Sequence, residues 1–393
     1  MALAQLPIPT SLPETSSLNE KNDASMFPST SRQSTLDDHD HPVIPSVGTP
    51  LARHQSTADA RSLASIDRPP TGSDAIPRPP RSYHPFSPEV VILLMPASVF
   101  GILARLGLEA LATYDGNSIF PLAYPQALGC FLMGVALPLR DTISRYYSPL
   151  YTAVTTGFCG SLTTFSGWQL DVFNSWINEG QFHRAGLRDA VDGVTKLFFT
   201  LSISLASLSF GAHIGKLLIP VIPKLRPPSR VMQHTVSIVS VLVYLATFPS
   251  YFRLSPSFRH QATAALLFSF PGTLTRYMLS ICLNPRLKLL PIGTLVANEV
   301  GTSLLALFRV LQGLGDALSP DACSILQGLG DGYCGCLTTV STFVAELSTL
   351  ETGRRWFYAI VSIVMGQILV VLILGSTVWT GKASVQLSCM LVT

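Results

Sequence analysis

The chain opens with some 86 residues dominated by Ser, Pro, Thr and Asp, and then changes character, with apolar residues running in long blocks separated by short polar stretches. A helix crossing a hydrocarbon core about 30 Å thick needs about 20 apolar residues. Against that length the pattern predicts nine spans, at approximately 89–112, 120–138, 148–173, 194–219, 231–252, 259–282, 290–312, 326–349 and 356–380. The fold class expected is an all-α integral membrane protein. Residues 1–86 cannot bury enough apolar surface to fold and read as a disordered tail, in which His39, Asp40 and His41 are solvated polar residues rather than a metal site.

The blocks are not independent of one another. Gly157-Phe-Cys-Gly-Ser-Leu-Thr-Thr-Phe-Ser166 is written again as Gly332-Tyr-Cys-Gly-Cys-Leu-Thr-Thr-Val-Ser341, every aligned pair 175 positions apart (332 − 157). Such a separation means two copies of one domain rather than a solenoid. Other landmarks repeat in the same order: Gly101 and Arg105 with Gly272 and Arg276, Gly129 with Gly301, and Phe198, Ser202 and Gly215 with Tyr358, Ser362 and Gly375. Glycine inside a helix costs about 1 kcal/mol relative to alanine, and non-helical backbone at membrane depth survives only where protein or a polar cavity satisfies it. The doubled stretch therefore predicts a broken third helix in each copy, the two breaks facing each other.

Four spans, one span and four spans give an inverted pair of four-helix repeats joined by one linker helix. The expected division is 1–86 as cytosolic tail, 87–222 and 257–382 as the two four-span domains, 223–256 as the linker with its inverting helix, and 383–393 as a short extracellular tail. Placing the amino terminus in the cytosol sets ten loop cations inside against five outside, the direction that the positive-inside rule favours. The odd number of spans leaves the carboxyl terminus outside. Inverted repeats place a pathway at the repeat interface.

Composition narrows the classes. Of 393 residues 48% are hydrophobic and only 12% charged, too apolar for an ordinary soluble chain. A net charge of +3 with no basic, aromatic-interleaved stripe argues against nucleic-acid binding. Seven scattered cysteines make no secreted disulfide framework, and Cys334 and Cys336 read as small packing residues rather than a metal pair. No phosphate loop, zinc-protease pair or Ser-His-Asp arrangement supports an enzyme.

Together, the Gly-x-Cys-Gly-x-Leu-Thr-Thr-Phe-Ser pattern, the Gly-x-x-x-Arg of the first span and Gly293-Thr294-Leu295-Val296-Ala297-Asn298 resemble the Fluc-type fluoride channels over about residues 89–380. The eukaryotic exporters of that family fuse two four-span domains through an extra helix. The resemblance implies a passive, fluoride-selective channel in the plasma membrane, a pseudo-dimer within one monomeric chain. It implies pore aromatics at Phe165 and Trp168 in the first half and at Val340 and Phe343 in the second. Each pore takes the first position from one half and the second from the other, so Phe165 and Phe343 complete one pore, while Val340 and Trp168 leave the other degenerate. It further implies pore roles for Asn298, Thr164, Thr339, Ser202, Ser362 and Tyr358, with Gln126 at the position that matches Asn298 in the degenerate pore. A structural sodium ion is implied at the breaks, held by the backbone carbonyls of Gly160, Thr163, Gly335 and Thr338; no organic cofactor is.

Physical chemistry supports such a site independently of the family. Small, strongly hydrated fluoride needs donors and positive partial charge without a full cation to trap it; ring edges are electropositive, and Asn, Ser and Thr donate. Arg105 and Arg276 fit either snorkelling to a membrane face or a part in anion access. Asp171 and Glu346, three residues past the second aromatic positions, fit organisation of the breaks better than transport. Two rival functions remain at this point: a proton-coupled transporter of organic cations, and a non-transporting scaffold. The former would need an essential membrane carboxylate, for which Glu299, unmatched at Ala127, is the candidate.

Overall fold

A computed structural model describes residues 83–114, 119–183, 185–223, 226–253, 262–286, 290–314 and 318–382. The tail through residue 82, with His39, Asp40 and His41, and the expected carboxyl-terminal tail 383–393 lie outside the described residues. The elements, in order, are α1 (Pro88–Ala112), α2 (Ala123–Ala136), α3 (Arg140–Thr152), α4 (Phe165–Trp176), α5 (Gly186–Leu218), α6 (Arg230–Leu245), α7 (Thr247–Arg253), α8 (Ala264–Leu283), α9 (Ile292–Gly313), α10 (Pro320–Gly328), α11 (Ser341–Thr349), α12 (Thr352–Val370) and α13 (Ser376–Trp379). Wider π-helical turns continue α3 over Ala153–Cys159, α10 over Leu329–Cys334 and α12 over Val371–Gly375.

All of these elements are helices, and the ends are set by ordinary local chemistry. Pro88 sits in the first turn of α1, where its missing N–H is no loss. Ser229 and Ser319 cap α6 and α10, their hydroxyls accepting from Met232 N and Ala322 N at 3.3 Å.

Among the described residues six helices are long and apolar enough to cross a membrane: Pro88–Ala112, Gly186–Leu218, Arg230–Arg253, Ala264–Leu283, Ile292–Gly313 and Thr352–Trp379. A seventh span results if Ala123–Ala136 and Arg140–Trp176, bent by 107°, are counted as one. The three remaining segments of the nine expected are shorter or interrupted. At 14 residues α2 is about 21 Å long, less than the hydrocarbon core. The other two contain the doubled glycine-rich stretch, where helical geometry stops at Thr163 and at Thr338, both in extended conformation with ψ 153°.

The helices sort by what they cover. Phe198, Phe210, Leu242, Ile360 and Leu372 point outward and are well over half exposed or close to it, as lipid-facing residues are. Only Ser240 of α6 is buried; this helix lies outermost, tied to α8 by Tyr244, whose hydroxyl donates to Leu267 O at 2.9 Å. Inward, α2 packs on α5 and α9 on α12, and α4 and α11 run between them. The largest apolar cluster sits there, around Phe165, Trp168, Val340 and Phe343.

Candidate functional site

Where the two broken helices meet, each half completes the other. The Thr338 hydroxyl accepts from the backbone N–H groups of Phe165 and Ser166, at 3.2 and 3.1 Å, and so caps the start of α4. The Thr163 hydroxyl does the same for α11, accepting from Val340 N and Ser341 N at 3.3 and 3.0 Å. Both threonines stay close because Gly129 and Gly301 make room for them; a Cβ there would come within 2.4 and 2.3 Å of the threonine methyl groups. A helix start buried in a bilayer has orphan N–H groups and no water to serve them. Here the opposite half serves them.

One residue further on, side-chain amides close the break from the same half. Asn298 Oδ1 accepts from Thr339 N at 2.9 Å and its Nδ2 donates to Thr339 O at 3.3 Å. Gln126 makes the equivalent pair with Thr164, Nε2 donating to O at 2.6 Å and Oε1 accepting from N at 3.4 Å. The Asn-for-Gln difference, taken from sequence as a sign of asymmetry, leaves the bonding alike. Thr164 and Thr339 hydroxyls lie in the same network, 3.0 Å from Thr338 Oγ1 and 3.1 Å from Thr163 Oγ1.

The two arginines neither snorkel nor stand free to meet an anion. Arg105 Nη1 donates to Gly335 O at 2.9 Å and Nη2 to Asp331 O. Arg276 Nη2 donates to Thr156 O at 2.7 Å and Nε to Cys336 O at 2.9 Å. Each guanidinium thus reaches one carbonyl in the π-helical turns of the opposite half, Asp331 O for Arg105 and Thr156 O for Arg276, while Arg276 also serves Cys336 O of its own half. Glycine is required beneath them: a Cβ on Gly160 would lie 2.4 Å from Arg276 Nη1, and one on Gly335 2.4 Å from Arg105 Nη1. Cys334 and Cys336, beside these contacts, are buried free thiols.

The aromatic positions form one line of edge-on rings. Trp168 meets Phe165 at 5.5 Å between centroids, Phe165 meets Phe343 at 5.7 Å, and Phe343 meets Tyr358 at 5.2 Å, with interplanar angles of 86°, 70° and 62°. Phe165 and Phe343, 178 positions apart in sequence (343 − 165), are brought together as expected. Trp168 joins the same line, and Val340 lies in the same apolar cluster. Past Tyr358 the line becomes polar: its hydroxyl donates to Glu346 Oε2 at 2.9 Å, and Glu346 Oε1 accepts from Thr294 Oγ1 at 2.5 Å. Asn284 Nδ2 also reaches Glu346 Oε1, at 3.5 Å. Asp171 instead lines a cavity of about 270 Å³, together with Arg105, Glu109, Arg309, Thr164 and Ser166.

On the last helix of each half the register differs from the sequence pairing. Ser362 is buried on α12, one turn from Tyr358, whereas Ser202 is exposed and Phe198 62% exposed on α5. The buried face of α5 carries Thr200, Ser204, Leu208, Gly211 and Gly215. Helical geometry could have found this: at about 100° per residue, Ser202 and Gly215 fall on different faces and Ser204 and Gly215 on one. The wider turns at Val371–Gly375 change the phase of the second-half helix, and α5 has none, so equal spacings do not give equal faces.

The donor set at the break suits a hard cation. Among the described residues no hydrogen bond reaches the carbonyl oxygens of Thr163 and Thr338, and oxygen donors of this kind match sodium. The carbonyl of Gly335 is already served by Arg105.

The family model described as CrcB-like protein, Camphor Resistance (CrcB), matches residues 92–212 and again 263–376. The chain is 31% identical over 322 residues to Fluoride export protein 1 of Candida albicans, covering 76% of this chain and 82% of that one. It is 34% identical over 293 residues to Fluoride export protein 1 of Schizosaccharomyces pombe, covering 72% and 94%. The Fluoride-specific ion channel FluC of Prosthecochloris aestuarii is 30% identical over 118 residues, 91% of its own length but 29% of this chain. No solved structure matches.

Proposed function

The chain belongs to the CrcB-like family, and from that membership we propose that it is a passive fluoride channel that exports the anion from the cytosol. The observation that carries this reading is the buried edge-on contact of Phe165 with Phe343, one ring from each half, where the two broken helices meet. Ring edges present positive partial charge to an anion without a full cation that would hold it fast. Hydrogen fluoride enters cells as a neutral acid and loses its proton at cytosolic pH. A negative-inside potential then drives the anion out, each charge gaining about 2.3 kcal/mol per 100 mV, and no chemical energy source is needed.

In this reading the two halves lie inverted, as the reciprocal Thr163 and Thr338 caps and the crossed Arg105 and Arg276 contacts suggest. The plasma membrane is the working location, with the amino terminus cytosolic and the carboxyl terminus outside. Phe165, Phe343, Tyr358 and Ser362 line the conducting route, and the Val340 side does not conduct. Thr163, Thr338 and Gly160 carbonyls, with that of Gly335 shared with Arg105, would hold a non-transported sodium ion that supplies a fixed positive charge between the halves. The names of the relatives, and not the surroundings of Glu299, which is buried with its carboxylate free of hydrogen bonds, set this reading above a proton-coupled transporter.

The test is efflux from liposomes holding the purified full chain, read with a fluoride electrode and with chloride as control. Fluoride should leave far faster than chloride and than fluoride from protein-free liposomes. Equal rates with and without protein would refute the channel.

A further inference from the structure

Tyr358, Ser362 and Gly366 lie at steps of four on the buried side of α12. The first of these rests on the Phe343 ring; the last faces α4. A Cβ at Gly366 would stand 3.2 Å from Phe165 Cε1 and 3.2 Å from Gln169 Cγ, so the absent side chain leaves the Gln169 amide and the Phe165 ring edge facing the same strip of α12. Gln169 is fully buried. Its Oε1 and its backbone carbonyl both accept from Gln367 Nε2, at 2.6 and 2.9 Å, which fixes the amide and turns Nε2 to the other side. That nitrogen has no hydrogen-bond partner, and neither has the Ser362 hydroxyl one turn before Gly366.

A buried donor without an acceptor is costly and rare in a native interior. Two of them, neutral and on or against the strip of α12 that the Phe165 ring edge faces, are what a small anion arriving without its water would pair with. The matching place in the other half repeats the buried hydroxyl, at Ser204, but not the side-chain amide. Val344, 175 positions on from Gln169 (344 − 169), is buried in the apolar cluster, and Leu208 stands on the buried face of α5 two turns past Thr200, as Gly366 stands two turns past Tyr358. The asymmetry between the halves is therefore greater than the loss of one phenylalanine at Val340.

We infer that Gln169 Nε2 and Ser362 Oγ are the donors of a fluoride-binding station that the Phe165 ring edge completes, with Gln367 as the residue that positions the Gln169 amide. The inference rests on the channel reading and adds a specificity-determining residue to it. Gln169→Met keeps the length of the side chain and removes the donor. Its efflux should fall about tenfold, the loss expected for one donor to a charged partner, while the variant still elutes as a single species. In the double variant Gln169→Ala with Gly366→Ser, a hydroxyl enters the vacated space one turn past Ser362. Efflux there should return to within about threefold of the unaltered chain, a neutral hydrogen bond being worth less than a full charge-assisted one.

Fluoride efflux from Gln169→Met within about twofold of the unaltered chain, with Phe343→Ile blocked in the same preparation, would overturn the station and leave the channel intact, since a donor counts for more than that. A loss that the double variant does not recover would also overturn it, making Gln169 a packing residue. If the unaltered chain passes no more fluoride than protein-free liposomes, both readings fall together.

Discussion

The same doubled stretch meets two different surroundings on its two sides. Around Phe165 the neighbours are Phe343, Gln169 and the Tyr358, Ser362 and Gly366 face of α12, with rings edge-on and donors left unpaired. At Val340 there is no ring, and the places that match Gln169 and Gly366 hold Val344 and Leu208, with Ser204 a buried hydroxyl on the same face of α5. Yet the scaffold beneath is alike: both breaks carry a threonine cap from the opposite half, an amide bridge from their own, and an arginine on the carbonyls beside a glycine. The comparison separates what builds the centre, which is kept twice, from the ring pair and the Gln169 amide, which are kept once.

That separation is breakable by experiment. The largest effect is expected at Phe343: Phe343→Ile should lower fluoride efflux about a hundredfold, a loss of about 2.7 kcal/mol at the barrier, with the melting temperature in detergent little changed. Next come the scaffold residues, where stability rather than selectivity should respond. Asn298→Ala and Gln126→Ala each leave a buried backbone N–H and C=O unpaired and should cost about 1–3 kcal/mol of stability apiece, read as equal drops in thermal midpoint. A large drop for one and none for the other would break the claim that the two amides do the same job. Smaller again, Ser362→Ala should slow efflux about threefold to tenfold, whereas Ser204→Ala, at the matching buried place on α5, should leave it unchanged. The smallest effect belongs to Val340→Ala, whose efflux should stay within about twofold of the unaltered chain, a difference of about 0.4 kcal/mol; an effect as large as that of Phe343→Ile would mean that both sides conduct.

Much of this was legible in the residues alone. The doubled Gly-x-Cys-Gly-x-Leu-Thr-Thr stretch located both breaks, because glycine-rich sequence at membrane depth has few other uses. The Phe165 and Phe343 encounter came instead from the family resemblance, which implies that unlike positions of the two copies pair. Less legible were contacts that depend on which side of a helix faces in. Ser202 was aligned with Ser362 by spacing, but α5 turns it outward and presents Thr200 and Ser204 instead. Arg105 and Arg276 looked costly in a bilayer because sequence cannot show that π-helical turns 226 and 120 residues away would each present a carbonyl to them. The span count also suffered, since hydropathy registers apolar length and not the bend of 107° that follows α2.

The exchanged threonine caps carry a consequence for how such a chain is made. When ribosomal synthesis has delivered only the first half, the start of α4 still lacks Thr338 and must wait in the membrane with bare N–H groups. Assembly of the centre is then a late event, completed only after the second half inserts, and an intermediate holding the first half alone is a natural target for quality control.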